Sequence, residues 1–205
     1  MAETLNLVGC GILKKETQYL IGKHRWPIHT HFVCSALHVD YHRLEGALHK
    51  VLQQIPRNAM VVYGTCHPLM DTILTPFHAH RIVAQNCIEL LLGNTVFTSD
   101  LQNGAFFLLE DWAVRWDFVT KDVFGRTNNE ARRILQSAHD HFLCLRTPCS
   151  GDFSTQAQTL SERFEIPLKW RDVSLDNLER RLSDLVHQVI GDGEIPDIMN
   201  FCKRG

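Results

Sequence analysis

Three of the seven cysteines in this chain occupy the same kind of position, and their chemistry asks for an explanation first. Leu5, Leu7 and Val8 run into Gly9-Cys10-Gly11. Val61, Val62 and Tyr63 run into Gly64, with Cys66 two residues beyond it. Arg81 to Ala84 is a third short run, and Cys87 opens the apolar segment Ile88, Leu90, Leu91 and Leu92, which Gly93 stops. Each cysteine reads as the end of a strand near the start of a helix, where free N–H groups and the helix dipole favour the thiolate. Thiolates are the ligands that zinc and iron–sulfur clusters require. Gly9, Gly11 and Gly64 beside them would let backbone approach a bulky cofactor. His67 adds an imidazole next to Cys66, suited to serve as a fourth ligand or a proton donor. The plainer alternative is that a cysteine closing a core strand is only a small hydrophobe, and no C-x2-C knuckle marks a local metal site.

Other reactive groups carry weaker signals. Cys34 sits in an expected strand and reads as core, Cys144 and Cys149 as neighbours across a strand end, and Cys202 as part of the tail. The twelve histidines include His29/His31, His78/His80 and His139/His141, spacings that put two rings on one strand face without a third ligand nearby. There is no phosphate-binding loop and no nucleophile elbow, and Gly9-Cys10-Gly11 lacks the third glycine of a dinucleotide site.

The elements that must position these residues alternate between strand and helix. Residues 5–10, 30–36, 60–64 and 80–85 read as strands, with Lys14 to His24 and the run Leu44, Ala47, Leu48, Val51, Leu52, Ile55 as helices between them; Asp40 is the N-cap of the second. Thr95 to Gly104 reads as polar and turn-rich. Ala105 to Leu109, Phe142 to Leu145 and Leu168 to Val173 are further strands. Asp111 to Asp122, Asn128 to His139, Ser154 to Phe164 and Ser174 to Val189 are further helices, the last the clearest amphipathic pattern in the chain. Gly191-Asp192-Gly193 closes it, and the tail ends near Ile198. This alternation predicts a Rossmann-like α/β fold with a mainly parallel sheet flanked by helices. It forms one domain over residues 1–205, or two tightly joined halves, 1–110 and 111–205. In such a sheet the carboxyl ends of the strands share one crevice, which would bring Cys10, Cys66 and Cys87 together.

A formal net charge of −2 argues against nucleic acid or an anionic membrane as the main partner. No stretch has the length of a membrane span and no secretory signal opens the chain, so the expected location is the cytoplasm, where thiols stay reduced.

Taken in order, Val8-Gly9-Cys10-Gly11-Ile12-Leu13, Leu37-His38-Val39-Asp40 with Leu44, Tyr63-Gly64-Thr65-Cys66, Asn86-Cys87-Ile88 with Leu91-Leu92-Gly93, and Trp112 resemble the domain-of-unknown-function family numbered 1638. A fainter likeness continues through Trp170-Arg171-Asp172 and the Leu175–Leu182 helix. The family pattern has three such cysteines, and many bacterial and archaeal members are encoded beside corrinoid-dependent methyltransferases. The resemblance therefore implies a metal-binding protein of one-carbon or methyl-transfer metabolism, with Cys10, Cys66 and Cys87 as ligands to a [4Fe–4S] cluster, or to Zn2+ as the second choice. His67-Pro68 and Gln85-Asn86 depart from the family pattern and imply a specialised subgroup. Two roles are open: an enzyme with an open coordination position, or a non-catalytic accessory of a methyltransferase or corrinoid protein with the metal only structural.

Overall fold

Leu5–Cys10 is the strand on which the first half is built. Its last four residues are all buried, as befits a central parallel strand covered on both faces. The computed structural model describes residues 4–120 and 128–191. In chain order they form β1 (Leu5–Cys10), α1 (Lys14–His24), β2 (Ile28–Val33), α2 (Tyr41–Leu52), β3 (Met60–Val62), α3 (Met70–Leu74), β4 (His80–Arg81), α4 (Cys87–Leu92), α5 (Asn94–Gln102), β5 (Ala105–Leu108), α6 (Glu110–Val114), α7 (Trp116–Thr120), α8 (Asn128–Ala138), β6 (His141–Arg146), α9 (Ser154–Phe164), β7 (Leu168–Asp172) and α10 (Asp176–Ile190). The strands make two sheets, ordered β2-β1-β3-β4 and β5-β6-β7. Every pairing is parallel, which the intervening helices make sterically possible. The expected α/β architecture is present, as two parallel sheets rather than one.

Each helix is amphipathic toward a sheet. In α2, Leu44, Leu48 and Leu52 lie one turn apart and are buried, and the Asp40 carboxylate accepts from Arg43 N at 3.0 Å, capping the helix as its sequence predicts. α10 buries Leu178, Leu182, Leu185 and Val186. These join an apolar cluster drawn from both sheets, with Leu7, Val61, Leu90 and Leu91 of the first half and Ala105, Leu143 and Leu145 of the second. The Asn177 side-chain amide, at the head of α10, donates to Glu89 O and Leu90 O at 3.2 and 3.0 Å. The second sheet keeps a separate aromatic core of Trp116, Phe142, Phe153 and Phe164, in which Phe106 meets Phe142 edge to face at 5.5 Å.

Several expected boundaries differ. The second strand is 28–33, not 30–36. Ser35–Val39 is a tight 3-10 turn, closed by Leu37 N to Cys34 O at 3.1 Å, so Cys34 lies beyond the strand rather than in its middle. The 80–85 run pairs only at His80 and Arg81. Residues 95–104, expected to be turns, are largely α5: Phe97 is buried and stacks on Phe107 at 5.5 Å, and that apolar contact outweighs the polar composition. The aromatic segment from Asp111 is two short helices broken at Arg115. Cys202, the Asp192-Gly193 turn, Ile198 and the end of the expected 111–122 helix lie outside the described residues.

Candidate three-cysteine site

β1 stops at Cys10, and a 3-10 turn at Gly11–Leu13 carries the chain into α1. The chain leaving β3 crosses the loop leaving β4 at Gly64. A Cβ there would stand 2.4 Å from Gln85 O and 2.5 Å from Asn86 N, so no other residue fits without moving backbone. One residue later, Thr65 N and Oγ1 both donate to Gln85 O, at 2.9 and 3.1 Å. On the other side of the crossing, Asn86 Oδ1 accepts from Ile88 N and Glu89 N, both at 3.0 Å, and the Glu89 carboxylate accepts from Gln85 N at 2.6 Å. These bonds start α4, with Cys87 as its first residue. Cys66 and Cys87 therefore hang from one strapped pair of loops, with β1 delivering Cys10 beside them.

The three sulfurs feel one another. The Cys87 thiol donates to the Cys10 sulfur, and this bond does most to hold the Cys10 pKa below the usual thiol value, against burial and with help from Ile12 N–H and the Tyr63 hydroxyl. The same bond, with burial, pushes Cys87 well up. Burial and the neighbouring Cys10 push Cys66 up to about 11, partly offset by Gly64 N–H and Arg81. Thus the helix-end field expected to favour all three thiolates does not decide the matter. Desolvation decides Cys66, and the thiol–thiol bond decides both Cys10 and Cys87, with burial adding to it at Cys87. The Tyr63 hydroxyl lies in the same enclosure at 1% exposure. It leans on the Cys10 sulfur closely enough to influence its ionisation, yet finds no partner in ordinary hydrogen-bond geometry. Burial, then Cys10 and Cys87, drive its own pKa far upward.

The other expected site residues fare differently. His67 is buried and stacks edge to face with Tyr41 at 5.4 Å. Its Nδ1 accepts from Leu69 N at 3.0 Å, which leaves the proton on Nε2, so the ring is presented as a donor and not as a ligand. Its pairing with any of the three sulfurs is not seen among the described residues. The three glycines face the protein itself: a Cβ on Gly9 would meet the Phe32 ring at 3.1 Å, and one on Gly11 would meet Val33 O at 3.1 Å. Their small size allows close packing of the chain at these points. Among the described residues no group of three or more His, Cys, Asp or Glu side chains stands in metal-ligating arrangement. The donor set of three neighbouring thiols suits a thiophilic ion by chemistry.

Residues without a sequence signal complete the edge. Cys34, expected in the core, is half-buried beyond β2 and accepts from Arg115 Nη1 at 3.9 Å. Arg115 also donates to Ser35 Oγ at 2.9 Å and pairs with Asp111 through two nitrogens, so α6 of the second half is tied to the loop after β2. Glu16 is buried against Thr147, in a helix whose sequence gives no hint that the second half covers it. Only the Asp111/Arg115 spacing of four was readable as an ion pair. Cys144 is fully enclosed in β6, and its thiol is pushed up to about 12 by burial; it is a core residue, remote in role from the edge cysteines.

Two parallel sheets sharing a helix, with a cluster of interacting buried thiols at the carboxyl edge of one, define a cysteine-rich α/β protein. The chain belongs to the family described as protein of unknown function (DUF1638), whose profile matches residues 32–182. The match takes in Cys66 and Cys87 and begins beyond Cys10. No curated protein and no solved structure matches the chain.

Proposed function

We propose that Cys10, Cys66 and Cys87 are the ligands of one thiophilic metal ion, in a protein serving methyl-transfer metabolism. The observation that carries this reading is the convergence of three cysteines at one sheet edge: Cys10, Cys66 and Cys87 shift one another's ionisation, and the crossing at Gly64 straps together the loops that carry Cys66 and Cys87. One ion in place of the thiol protons would take all three sulfurs at once. The ion would be Zn2+ or the iron of a [4Fe–4S] cluster, both of which take thiolate ligands. With three protein ligands such an ion supplies a Lewis acid with an open position. Tyr63 O–H stands beside that cluster as a donor, and His67 Nε2–H is a proton donor on the neighbouring loop.

The accessory role has an observation of its own. Tyr41, Leu69 and Val83 are 54%, 58% and 73% exposed, and all three sit on segments that leave the carboxyl ends of the first sheet. An apolar rim of this kind suits docking to a methyltransferase or corrinoid protein.

Zinc titration of reduced, metal-free protein tests the reading. One ion should bind per chain with release of protons near neutral pH, because thiols lose theirs on becoming ligands. Cys10→Ser, Cys66→Ser and Cys87→Ser should each abolish tight binding, while Cys34→Ser and Cys144→Ala retain it. Equal zinc retention in all five variants would refute the assignment.

A further inference from the structure

The loops leaving β1, β5 and β6 face one another across a pocket of about 220 Å³, room for roughly seven waters at ~30 Å³ each. It is the place where open α/β sheets bind ligands, outside the carboxyl ends of the strands, and here the ends of both sheets contribute. Gly11, Ile12 and the first turn of α1 form one wall, and α6 with Ser150 the other.

The charges on these walls are unevenly matched. The Lys15 ammonium meets both Glu110 oxygens at 2.7 Å, and Arg115 is taken by Asp111. Lys14 has no carboxylate partner among the described residues; its ammonium rests 6.0 Å from the centre of the Phe32 ring. The remaining acid, Glu16, is 5% exposed and accepts from the Thr147 hydroxyl at 2.7 Å. Burial raises its pKa more than that bond and Lys15 lower it, so the carboxyl is biased toward the form that can donate a hydrogen bond. The pocket thus offers one uncompensated cation at its mouth and a sheltered acid in its wall.

We propose that this crevice binds a small organic monoanion, a short carboxylate, with its charged end on the Lys14 ammonium and its polar end against the Glu16 carboxyl. The space admits little more than such an acid and is below the size of nucleotide or drug-like ligands. The proposal does not require a metal at the cysteines. It does place the ligand beside them, because Ile12, which lines the pocket, also donates its N–H to the Cys10 sulfur.

The test is a titration of the full chain with acetate and with glycolate, followed by backbone amide shifts, with acetamide and methylammonium as neutral and cationic counterparts. Saturable shifts at Gly11, Ile12 and Ser150 should appear with the two acids and not with the counterparts. Lys14→Gln should weaken binding roughly fivefold, what one solvent-exposed charge pair at ~1 kcal/mol provides, and Lys14→Arg should restore it. Lys50→Gln, on the exposed side of α2, should leave it unchanged. Native protein should prefer glycolate to acetate, Glu16→Gln, which keeps a hydrogen-bonding group in place, should retain that preference, and Glu16→Ala should lose it. Absence of saturation with either acid, equal shifts from acetamide or methylammonium, or unchanged affinity in Lys14→Gln would overturn the proposal.

Discussion

Removing the Cys87 thiol while leaving Cys10 in place isolates the bond on which the site's electrostatics rest. In Cys87→Ala the Cys10 sulfur loses its strongest stabilising donor and keeps the burial that opposes ionisation. A hydrogen bond to a charged acceptor contributes ~1.5–3 kcal/mol, and 1.36 kcal/mol corresponds to one pH unit, so the Cys10 pKa should rise by about one to two units. At a pH below both the native and the new value its thiolate fraction should fall about 10- to 100-fold. Cys87→Ser keeps an O–H donor at nearly the same place and should hold the pKa close to the native value. The assay is the pH dependence of Cys10 alkylation by iodoacetamide in metal-free protein, read by peptide mass analysis, with circular dichroism to confirm both variants fold. The ratio between the two variants is the decisive quantity. If Ala and Ser at position 87 give the same Cys10 profile, the thiol–thiol bond is not what lowers the Cys10 pKa, and the account of the site's electrostatics fails.

Three further outcomes follow from the same structure. Cys66 and Cys144 have folded pKa values of about 11 and about 12, above the ordinary 9.0, so their contribution is complete below pH 9 and lost as pH rises through those values. At 1.36 kcal/mol per pH unit this amounts to ~3 and ~4 kcal/mol; urea unfolding at rising pH should show the loss, and Cys144→Ala should remove its share. Gly64→Ala should destabilise by about 1–3 kcal/mol, because the new methyl meets the 85–86 backbone, and should lower zinc affinity by parting Cys66 from Cys87, measured by competition with a chromophoric chelator. Glu16, whose folded pKa is raised, loses its stabilising contribution as pH rises through that value; Glu16→Gln should therefore raise the melting temperature at pH 7, with the advantage fading in acid. A Glu16→Gln variant less stable at neutral pH would contradict the burial argument.

The fold was legible where one physical signal dominated. Lys14 to His24, Ser154 to Phe164 and the parallel order of the first four strands follow from apolar periodicity and stop residues such as Trp26-Pro27 and Gly93. Residues 95–104 were not legible, because a single buried ring, Phe97, decides their helix against a polar composition. The meeting of Cys10 with Cys87 could be anticipated from strand ends in a parallel sheet. The direction of their ionisation could not, since it depends on a hydrogen bond between residues 77 positions apart, a separation read from their numbers. The crossing at Gly64 was not legible either, because its need for a bare Cα comes from Gln85 and Asn86, about twenty residues on. Glu16 and Cys34 gain their roles only from the second half, which packs over residues whose local sequence looks like surface or core.

The placement of α10 also has a bearing on the order in which the protein can be made. Leu178, Leu182, Leu185 and Val186 sit in a cluster that also takes Leu7 and Val61 from the first sheet and Leu143 and Leu145 from the second, so part of the first sheet's cover is the last helix to be made. At typical synthesis rates of about 5–20 residues per second, the roughly hundred intervening residues impose a delay on the order of 5–20 s. During that interval the face of the first sheet that meets α10 is without that helix, and the half of the chain made first is completed by the last of it.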